Sequence, residues 1–140
     1  MLVLDTDHLS ALEWRDSDLA KQLRLRLRHS GQERVTTIVT YEEQSRGWLA
    51  YINRANSMEQ QIEAYELLAN HLKFYLELTV LDFDRPAAEE YQKLRKAKLN
   101  VGPLDLKITA ITLAQDATLL SRNLKDFEKV PGLKVEDWLS

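Results

Sequence analysis

Short apolar runs alternate with longer amphipathic segments along this chain of 140 residues. The runs that resemble strands are "MLVLD", "ERVTTIV", "LTVLDF", "ATLLS" and "LKVEDW". Each is short, rich in Val, Leu, Ile or Thr, and followed by polar residues or turn formers, as is typical of buried strands. Strands that alternate with helices predict an α/β fold, with a central, mainly parallel sheet flanked by helices. We expect a single domain over residues 1–140 because the chain has no repeat, low-complexity stretch or long linker.

Helical patterns occupy the intervals between these runs. The segment "SDLAKQLRLRLRH" predicts a helix with Leu19, Leu23 and Leu27 on one face, although its Leu-Arg alternation is also compatible with a strand. Another helix is expected from about Thr40, soon after the second strand. The remaining helix starts are marked by capping residues and prolines: a capping box of Ser57 and Gln60, then Asp84 with Pro86, then Pro103.

Composition narrows the classes of protein that this chain can be. A net charge of −3 argues against a protein that coats nucleic acid by bulk electrostatics, although it allows nucleic acid as a locally held substrate. No apolar stretch approaches the ~18 residues that cross a bilayer. The N-terminus lacks the basic segment and apolar run of a signal peptide. The absence of cysteine excludes disulfides, thiolate metal sites and a cysteine nucleophile, which fits a cytoplasmic protein.

Four polar residues follow predicted strands or open the next predicted helix. Asp5 ends the first strand, Glu43 lies near the start of the helix after the second strand, and Asp105 lies in the first turn of the helix after "LNVGP". Asn123 follows "ATLLS". Ligands bind beyond the carboxyl ends of the strands in an open parallel sheet. We therefore expect all four residues at the same edge of the sheet.

Three clustered carboxylates repel each other and raise one another's pKa values unless a cation lies between them. Oxygen ligands without cysteine or a nearby histidine favour a hard divalent ion, Mg²⁺ or Mn²⁺. Such an ion suits phosphodiester hydrolysis, because it activates water and neutralises charge on the phosphate. Each acid taken alone also has a structural interpretation, since Asp105, for example, complements the dipole of its helix. The joint arrangement favours the catalytic interpretation.

Three stretches resemble the PIN-domain nucleases, specifically the VapC-type toxins of toxin–antitoxin pairs. "VLDTDHLS" resembles the family's first strand and first metal-binding acid, here Asp5. "TIVTYEEQSRG" resembles the second motif, in which Thr40 and Gly47 select Glu43 over its neighbour Glu42. "VGPLDLKITAITLAQDATLLSRNLKDFEKVPGL" resembles the later motifs, with Asp105 as the third acid.

The resemblance implies a Mg²⁺- or Mn²⁺-dependent endoribonuclease that halts translation. It also implies an RNA substrate, a cognate antitoxin protein and a homodimer. By this resemblance Asp5, Glu43 and Asp105 are the metal ligands, and Asn123 joins them as a catalytic residue. Many members have a fourth acid where Asn123 stands, so a second metal site would be weaker here.

Further residues are expected to support the acids or to contact RNA. Thr6, Ser121 and Asp126 are the expected supporting residues. Arg46, Arg122 and Lys125 are the expected RNA contacts. Asp7 is interpreted as a helix cap, and His8 as a packing residue.

Two alternatives remain open from the sequence. Asp5 and Asp7 also match the D-x-D pattern of haloacid-dehalogenase-type phosphatases, although no later Gly-Asp-x-x-x-Asp supports that interpretation. The chain could also be a catalytically weak binding module with a PIN fold, because Asn123 removes a negative charge.

Overall fold

A computed structural model describes residues 1–14 and 17–140 of the chain. Its sheet has five strands in the order β3-β2-β1-β4-β5, and all four pairings between neighbours are parallel. The strands are β1 (Leu2–Leu4), β2 (Arg34–Thr37), β3 (Thr79–Leu81), β4 (Thr118–Leu120) and β5 (Lys134–Glu136). The predicted α/β fold with a parallel sheet is confirmed.

Helices connect these strands and cover both faces of the sheet. In the described part of the chain they are α1 (Thr6–Glu13), α2 (Asp18–Ser30), α3 (Ile38–Asn53), α4 (Met58–Leu76), α5 (Arg85–Lys96), α6 (Pro103–Ala114) and α7 (Leu124–Phe127). The short α7 lies within a segment that the sequence predicted only as turn-rich. None of these helices is long and apolar enough to span a bilayer, as judged over the described residues.

Two details of the predicted helices are wrong. In α2 the buried face contains Leu23 and Leu27 as expected, but Leu19 is 47% exposed and Ala20 is buried in its place. Helix α3 begins at Ile38, ahead of the predicted start near Thr40. It begins early because the Thr37 hydroxyl accepts a hydrogen bond from a first-turn amide and caps the helix. The β-branched residues Ile38 and Val39, which the sequence predicts as the end of the second strand, thus belong to the helix.

The start of α4 follows the predicted capping box only in part. The amide of Gln60 donates to the hydroxyl of Ser57 over 3.1 Å. The side chain of Gln60 accepts from the amide of Asn56, one residue before the cap, over 2.7 Å. Two amides at the helix start are therefore satisfied, as in a capping box, but the second belongs to a different residue.

The core lies on both faces of the sheet because β1 is central and buried on both sides. Leu2 and Leu4 pack on one face with residues of α1, α2 and α4. Val3 packs on the other face with residues of α5, α6 and α7. This double burial explains why "MLVLD" has a continuous apolar run and no polar alternation.

The order of the strands places a topological switch point between β1 and β4. From β1 the chain proceeds through β2 to β3 on one side, whereas β4 and β5 lie on the other side. The connections leave the ends of β1 and β4 in opposite directions, which opens a crevice at the carboxyl edge of the sheet. Asp5 and Ser121 are the residues that directly follow these two strands.

Candidate functional site

Asp5 lies at the crevice between β1 and β4, where it is the N-cap residue of α1. Its amide donates to the carbonyl of Leu120 over 3.0 Å, which ties the end of β1 to the end of β4. Its carboxylate makes no capping hydrogen bond to the helix. The carboxylate accepts instead from the hydroxyl of Ser121, over 3.0 Å. Hydrogen bonds from the Ser121 hydroxyl and from the backbone of Thr6 therefore hold the Asp5 carboxylate in place.

Ser121 connects Asp5 to the next strand-end residue. Its side chain is buried, and its hydroxyl oxygen also accepts from the amide of Asn123 over 3.0 Å. One hydroxyl thus fixes both the first acid and the backbone of the turn that follows β4. Ser121 is predicted from the sequence to support the acidic cluster, and these contacts are compatible with that role.

Glu43 reaches the site from α3, where it lies in the second turn. Thr6, the first residue of α1, donates its hydroxyl to Glu43 Oε1 over 2.7 Å. Because Thr6 adjoins Asp5 in sequence, this contact brings the second acid beside the first. The neighbouring acid, Glu42, pairs instead with Arg46 on an exposed part of α3.

Asp105 approaches the site from the first turn of α6, which starts at Pro103. The amide nitrogen of the Asn123 side chain lies 3.5 Å from Asp105 Oδ2 and 3.1 Å from Asp126 Oδ2. Asn123 therefore donates towards the acids on both sides of it. Asp126 also pairs with Lys129 over 3.3 Å.

Burial, and to a smaller extent neighbouring negative charge, raises the pKa values of two of the acids at this edge of the sheet. Burial is the main cause that raises the pKa of Asp5 to about 6, with smaller contributions from the charges of Glu43 and Asp105. Burial also raises the pKa of Asp105, followed by the charges of Glu43 and Asp126. Among the described residues, no lysine or arginine forms an ion pair with any of the three acids Asp5, Glu43 and Asp105.

The donor set fits a hard divalent cation, because it consists of carboxylate oxygens whose charge is not offset by the protein. Within residues 1–14 and 17–140, however, no three His, Asp or Glu side chains form a ready-made ion site. The acids interact electrostatically without meeting at coordination distance. The arrangement can accommodate an ion held partly through water.

The three predicted RNA contacts, Arg46, Arg122 and Lys125, differ in their position relative to the acids. Arg122 and Lys125 are exposed and flank Asn123 in the turn after β4. Arg46 is exposed but pairs with Glu42 one helical turn away. The positive charge of Arg46 is therefore partly offset, whereas the other two cations lie beside the acidic edge.

Asp7 and His8 differ in their relation to the site. Asp7 is exposed in the first turn of α1, and Asp5 is the N-cap, so the interpretation of Asp7 as the cap is wrong. His8 is buried, and its Nε2 accepts from the amide of Trp138 over 3.1 Å. Burial lowers the pKa of His8 to about 4, so a neutral ring packs against the C-terminal segment.

One cluster beside the site was not predicted from the sequence. His71 in α4 is buried, and its Nδ1 lies 2.9 Å from Glu13 Oε1 in α1. Trp48 of α3 packs against this imidazole with ring centroids 5.6 Å apart. The three residues come from three helices at unrelated spacings, so no local sequence signal joins them.

Comparison with known proteins gives a family and several relatives. The model of the PIN domain family matches residues 2–133. A tRNA(fMet)-specific endonuclease VapC from Salmonella typhimurium is 33% identical over 69 residues, which are 46% of this chain and 52% of the relative. The chain thus aligns with about half the length of that curated relative. Ribonuclease VapC1 from Rickettsia felis is 28% identical over 96% of this chain and 93% of its own.

A solved structure extends the likeness to the whole fold. VapBC2 from Rickettsia felis, bound to a DNA fragment from its promoter, superimposes with a TM-score of 0.71 at 23% identity. The match covers 98% of each chain. The matched family is that of PIN domains, and nothing in these comparisons supports the phosphatase alternative based on Asp5 and Asp7.

Proposed function

Because the chain belongs to the PIN domain family, we propose that it is a metal-dependent endoribonuclease of the VapC type, which acts as a cytoplasmic toxin by cleaving RNA. The observation that carries the proposal is that Asp5, Glu43 and Asp105 lie near enough at one edge of the sheet for their charges to interact, although no ready-made ion site occurs among the described residues. Burial, followed by the charges of the neighbouring acids, raises the pKa values of Asp5 and Asp105, and none of the three acids forms an ion pair with a lysine or arginine among the described residues. The VapC ribonucleases that align with this chain support the choice of reaction.

In this proposal Asp5, Glu43 and Asp105 hold one Mg²⁺ or Mn²⁺ ion, directly or through water. When bound, the ion lowers the pKa of water and neutralises charge on a backbone phosphate. Thr6 and Ser121 orient the carboxylates of Glu43 and Asp5 by the hydrogen bonds described above.

Asn123 takes the place of a fourth acid. Its side-chain amide donates towards Asp105 and Asp126, which reduces the repulsion between them without adding charge. This favours a single resident ion over two. Arg122 and Lys125 hold RNA phosphates beside the acids. Cleavage by attack of water leaves a 5′-phosphate and a 3′-hydroxyl.

A cognate antitoxin and a second copy of this chain are the proposed protein partners. The VapC-type resemblance is one support. The second is a set of large apolar side chains that are exposed on α4: Met58, Ile62, Tyr65, Leu72 and Leu76. An apolar surface of this kind is typical of contact with another protein. Sedimentation of the isolated chain tests the homodimer, and a monomer at micromolar concentration would contradict it.

The nuclease is tested by incubating the purified chain with transfer RNA, the substrate class in the name of one relative, in EDTA and in Mn²⁺. We expect cleavage by the parent only with the ion, and a loss of roughly 10²–10³-fold or more in Asp5→Ala, Asp105→Ala and Glu43→Gln. The matched control is Glu42→Gln, which removes the adjacent acid and should retain most activity. Equal cleavage by all variants, or a 2′,3′-cyclic phosphate product, would refute the proposal.

A further inference from the structure

A cavity of about 270 Å³ lies between α1, α3 and α4, directly beside the candidate site. Pockets that bury a drug-sized ligand begin at about 300 Å³, so this volume suits a single planar ring system. Thr6 lines the cavity and also donates to Glu43. The cavity therefore shares a wall with the acidic cluster.

The sides of the cavity are aromatic. Trp14, Trp48 and Tyr51 all line it. The rings of Trp14 and Trp48 have centroids 6.3 Å apart with their planes inclined at 42°, and Tyr51 meets Trp48 edge-on at 5.9 Å. Trp14 is 52% exposed, so a large indole face is open to a ligand. Aromatic faces of this kind are the platforms on which unstacked nucleic-acid bases stack.

The cavity also has polar groups, which an apolar side chain would not satisfy. Glu13 and His71 line it together, and the carboxylate of Glu13 accepts from His71 Nδ1. Both carboxylate oxygens of Glu13 lie near this one nitrogen, at 2.9 and 3.2 Å, and their remaining lone pairs can accept further hydrogen bonds. His71 Nε2 has no hydrogen-bond partner among the described residues. Buried groups of this kind are normally paired.

The rim of the cavity carries a positive charge. Arg54 lines the cavity, and it forms no ion pair with an acid in the described part of the chain. A free guanidinium at the rim suits a phosphate next to a bound base. Aromatic sides, hydrogen-bond acceptors inside and a cation at the rim together match one nucleotide better than an apolar protein side chain.

We propose that this cavity binds one unstacked base of the RNA next to the cleaved phosphate, with Trp14 as its stacking platform. The proposal rests on the nuclease function proposed above. The acceptor oxygens of Glu13 favour guanine, the one base whose Watson–Crick edge presents two adjacent donors, N1–H and N2–H, to a carboxylate; the other bases present a single donor group beside acceptors. Glu13 is thus a specificity-determining residue, and Trp14 binds the base by stacking.

The test of stacking compares Trp14→Ala with Trp14→Phe and with Trp138→Ala, which removes an indole outside the cavity. In Mn²⁺ we expect Trp14→Ala to raise KM for RNA roughly 5- to 150-fold, the range measured for loss of one stacked base, with kcat nearly unchanged. Trp14→Phe should recover part of the loss, and Trp138→Ala should behave as the parent. An unchanged KM in Trp14→Ala would overturn the proposal.

The test of base preference uses oligonucleotides that differ only in having guanine or adenine at the stacked position, two purines that both offer a large ring system for stacking. The parent should cleave the guanine form with the higher kcat/KM. Glu13→Gln, which keeps an oxygen to accept from His71, should lose most of this preference. A preference that is absent from the parent, or unaffected by Glu13→Gln, would overturn the assignment of Glu13.

A binding experiment separates this proposal from the nuclease proposal. RNA with 2-aminopurine at successive positions is mixed with the protein in EDTA, and quenching of the probe reports stacking. Quenching at one position that disappears in Trp14→Ala supports the base site even if the parent cleaves no RNA, in which case only the nuclease proposal fails. Normal cleavage without such quenching leaves the nuclease intact and refutes the base site. Quenching of Trp14 fluorescence by acrylamide gives a further test. If RNA leaves Trp14 accessible to acrylamide whereas a partner protein shields Trp14, the base site is also refuted.

Discussion

Replacing Asp5 by asparagine removes a charge that destabilises the fold in the absence of a cation. The pKa of Asp5 is raised from 3.8 to about 6, mainly by burial, so the ionised form is disfavoured in the folded protein. Each pH unit of difference between the folded and unfolded pKa corresponds to about 1.4 kcal/mol. The penalty on the folded state is therefore at most about 3 kcal/mol at neutral pH.

The sign of the pH dependence follows from the raised pKa. Below pH 3.8 Asp5 is protonated in both states, and the penalty is absent. It grows between pH 3.8 and about 6, where the unfolded chain has lost the proton and the folded chain retains it. Above pH 6 it is complete. Relative to the parent, Asp5→Asn should thus gain stability as the pH rises through this window.

The assay is urea unfolding in EDTA between pH 4 and pH 8, followed by circular dichroism. We expect the free energy of unfolding of Asp5→Asn to exceed that of the parent by up to about 3 kcal/mol at pH 7.5, and by little at pH 4. Asp82→Asn, at an exposed position, is the control and should show no such trend. A difference that is independent of pH, or a less stable variant at pH 7.5, would refute the reasoning.

Addition of Mn²⁺ should reverse the order of stability. An ion that binds only the folded parent stabilises it by mass action, whereas Asp5→Asn lacks one of the proposed ligands. The two unfolding curves should therefore approach or cross as the ion is titrated. An equal effect of Mn²⁺ on both proteins would place the ion elsewhere.

Three further perturbations probe the surroundings of the site. Burial lowers the pKa of His8 from 6.5 to about 4, so its neutral form contributes fully to stability above pH 6.5, and up to about 3 kcal/mol is lost as the pH falls through 4. His8→Gln should remove this loss of stability on acidification. Urea unfolding of the variant and of the parent measures the difference. Asn123→Asp should lower the free energy of unfolding in EDTA by about 0.5–1 kcal/mol, because it replaces a hydrogen-bond donor to Asp105 with a negative charge. Calorimetry should show that Mn²⁺ restores the lost stability. A variant as stable as the parent in EDTA would contradict this reasoning. Ser121→Ala should weaken Mn²⁺ binding roughly 10- to 100-fold by removing the hydrogen bond to Asp5, with Ser121→Thr as the control in isothermal titration.

The sequence predicts the fold well where a pattern depends on local burial and capping. The continuous apolar run of β1 correctly indicates a strand buried on both faces, and Pro103 correctly marks the start of α6. The same reasoning fails where two local preferences compete. The sequence predicts that the second strand continues through Ile38 and Val39, but the hydroxyl of Thr37 caps α3, and these two residues begin the helix. Leu19 fits the helical spacing of its neighbours, yet it lies beyond the width of the face that the sheet covers.

Part of the candidate site could likewise be predicted from the sequence, and part of it could not. Asp5, Glu43 and Asp105 could be selected from the sequence because Asp5 ends a strand and the other two lie near the starts of helices, positions that an open parallel sheet brings to one edge. The cavity beside them could not be predicted. Glu13 and His71 are 58 residues apart, and their contact depends on how α1 and α4 cross the same face of the sheet.

The sequence by itself determined which segments become strands and helices, since burial on two faces and helix capping act over a few residues. It also determined the chemistry available at the strand ends, where oxygen ligands occur without cysteine. Only the tertiary structure decided which of these ends adjoin. The order β3-β2-β1-β4-β5 places Asp5 beside Ser121, 116 residues away, at the switch point. The raised pKa of Asp5 is likewise a property of the folded chain, because burial and the approach of two other acids exist only there.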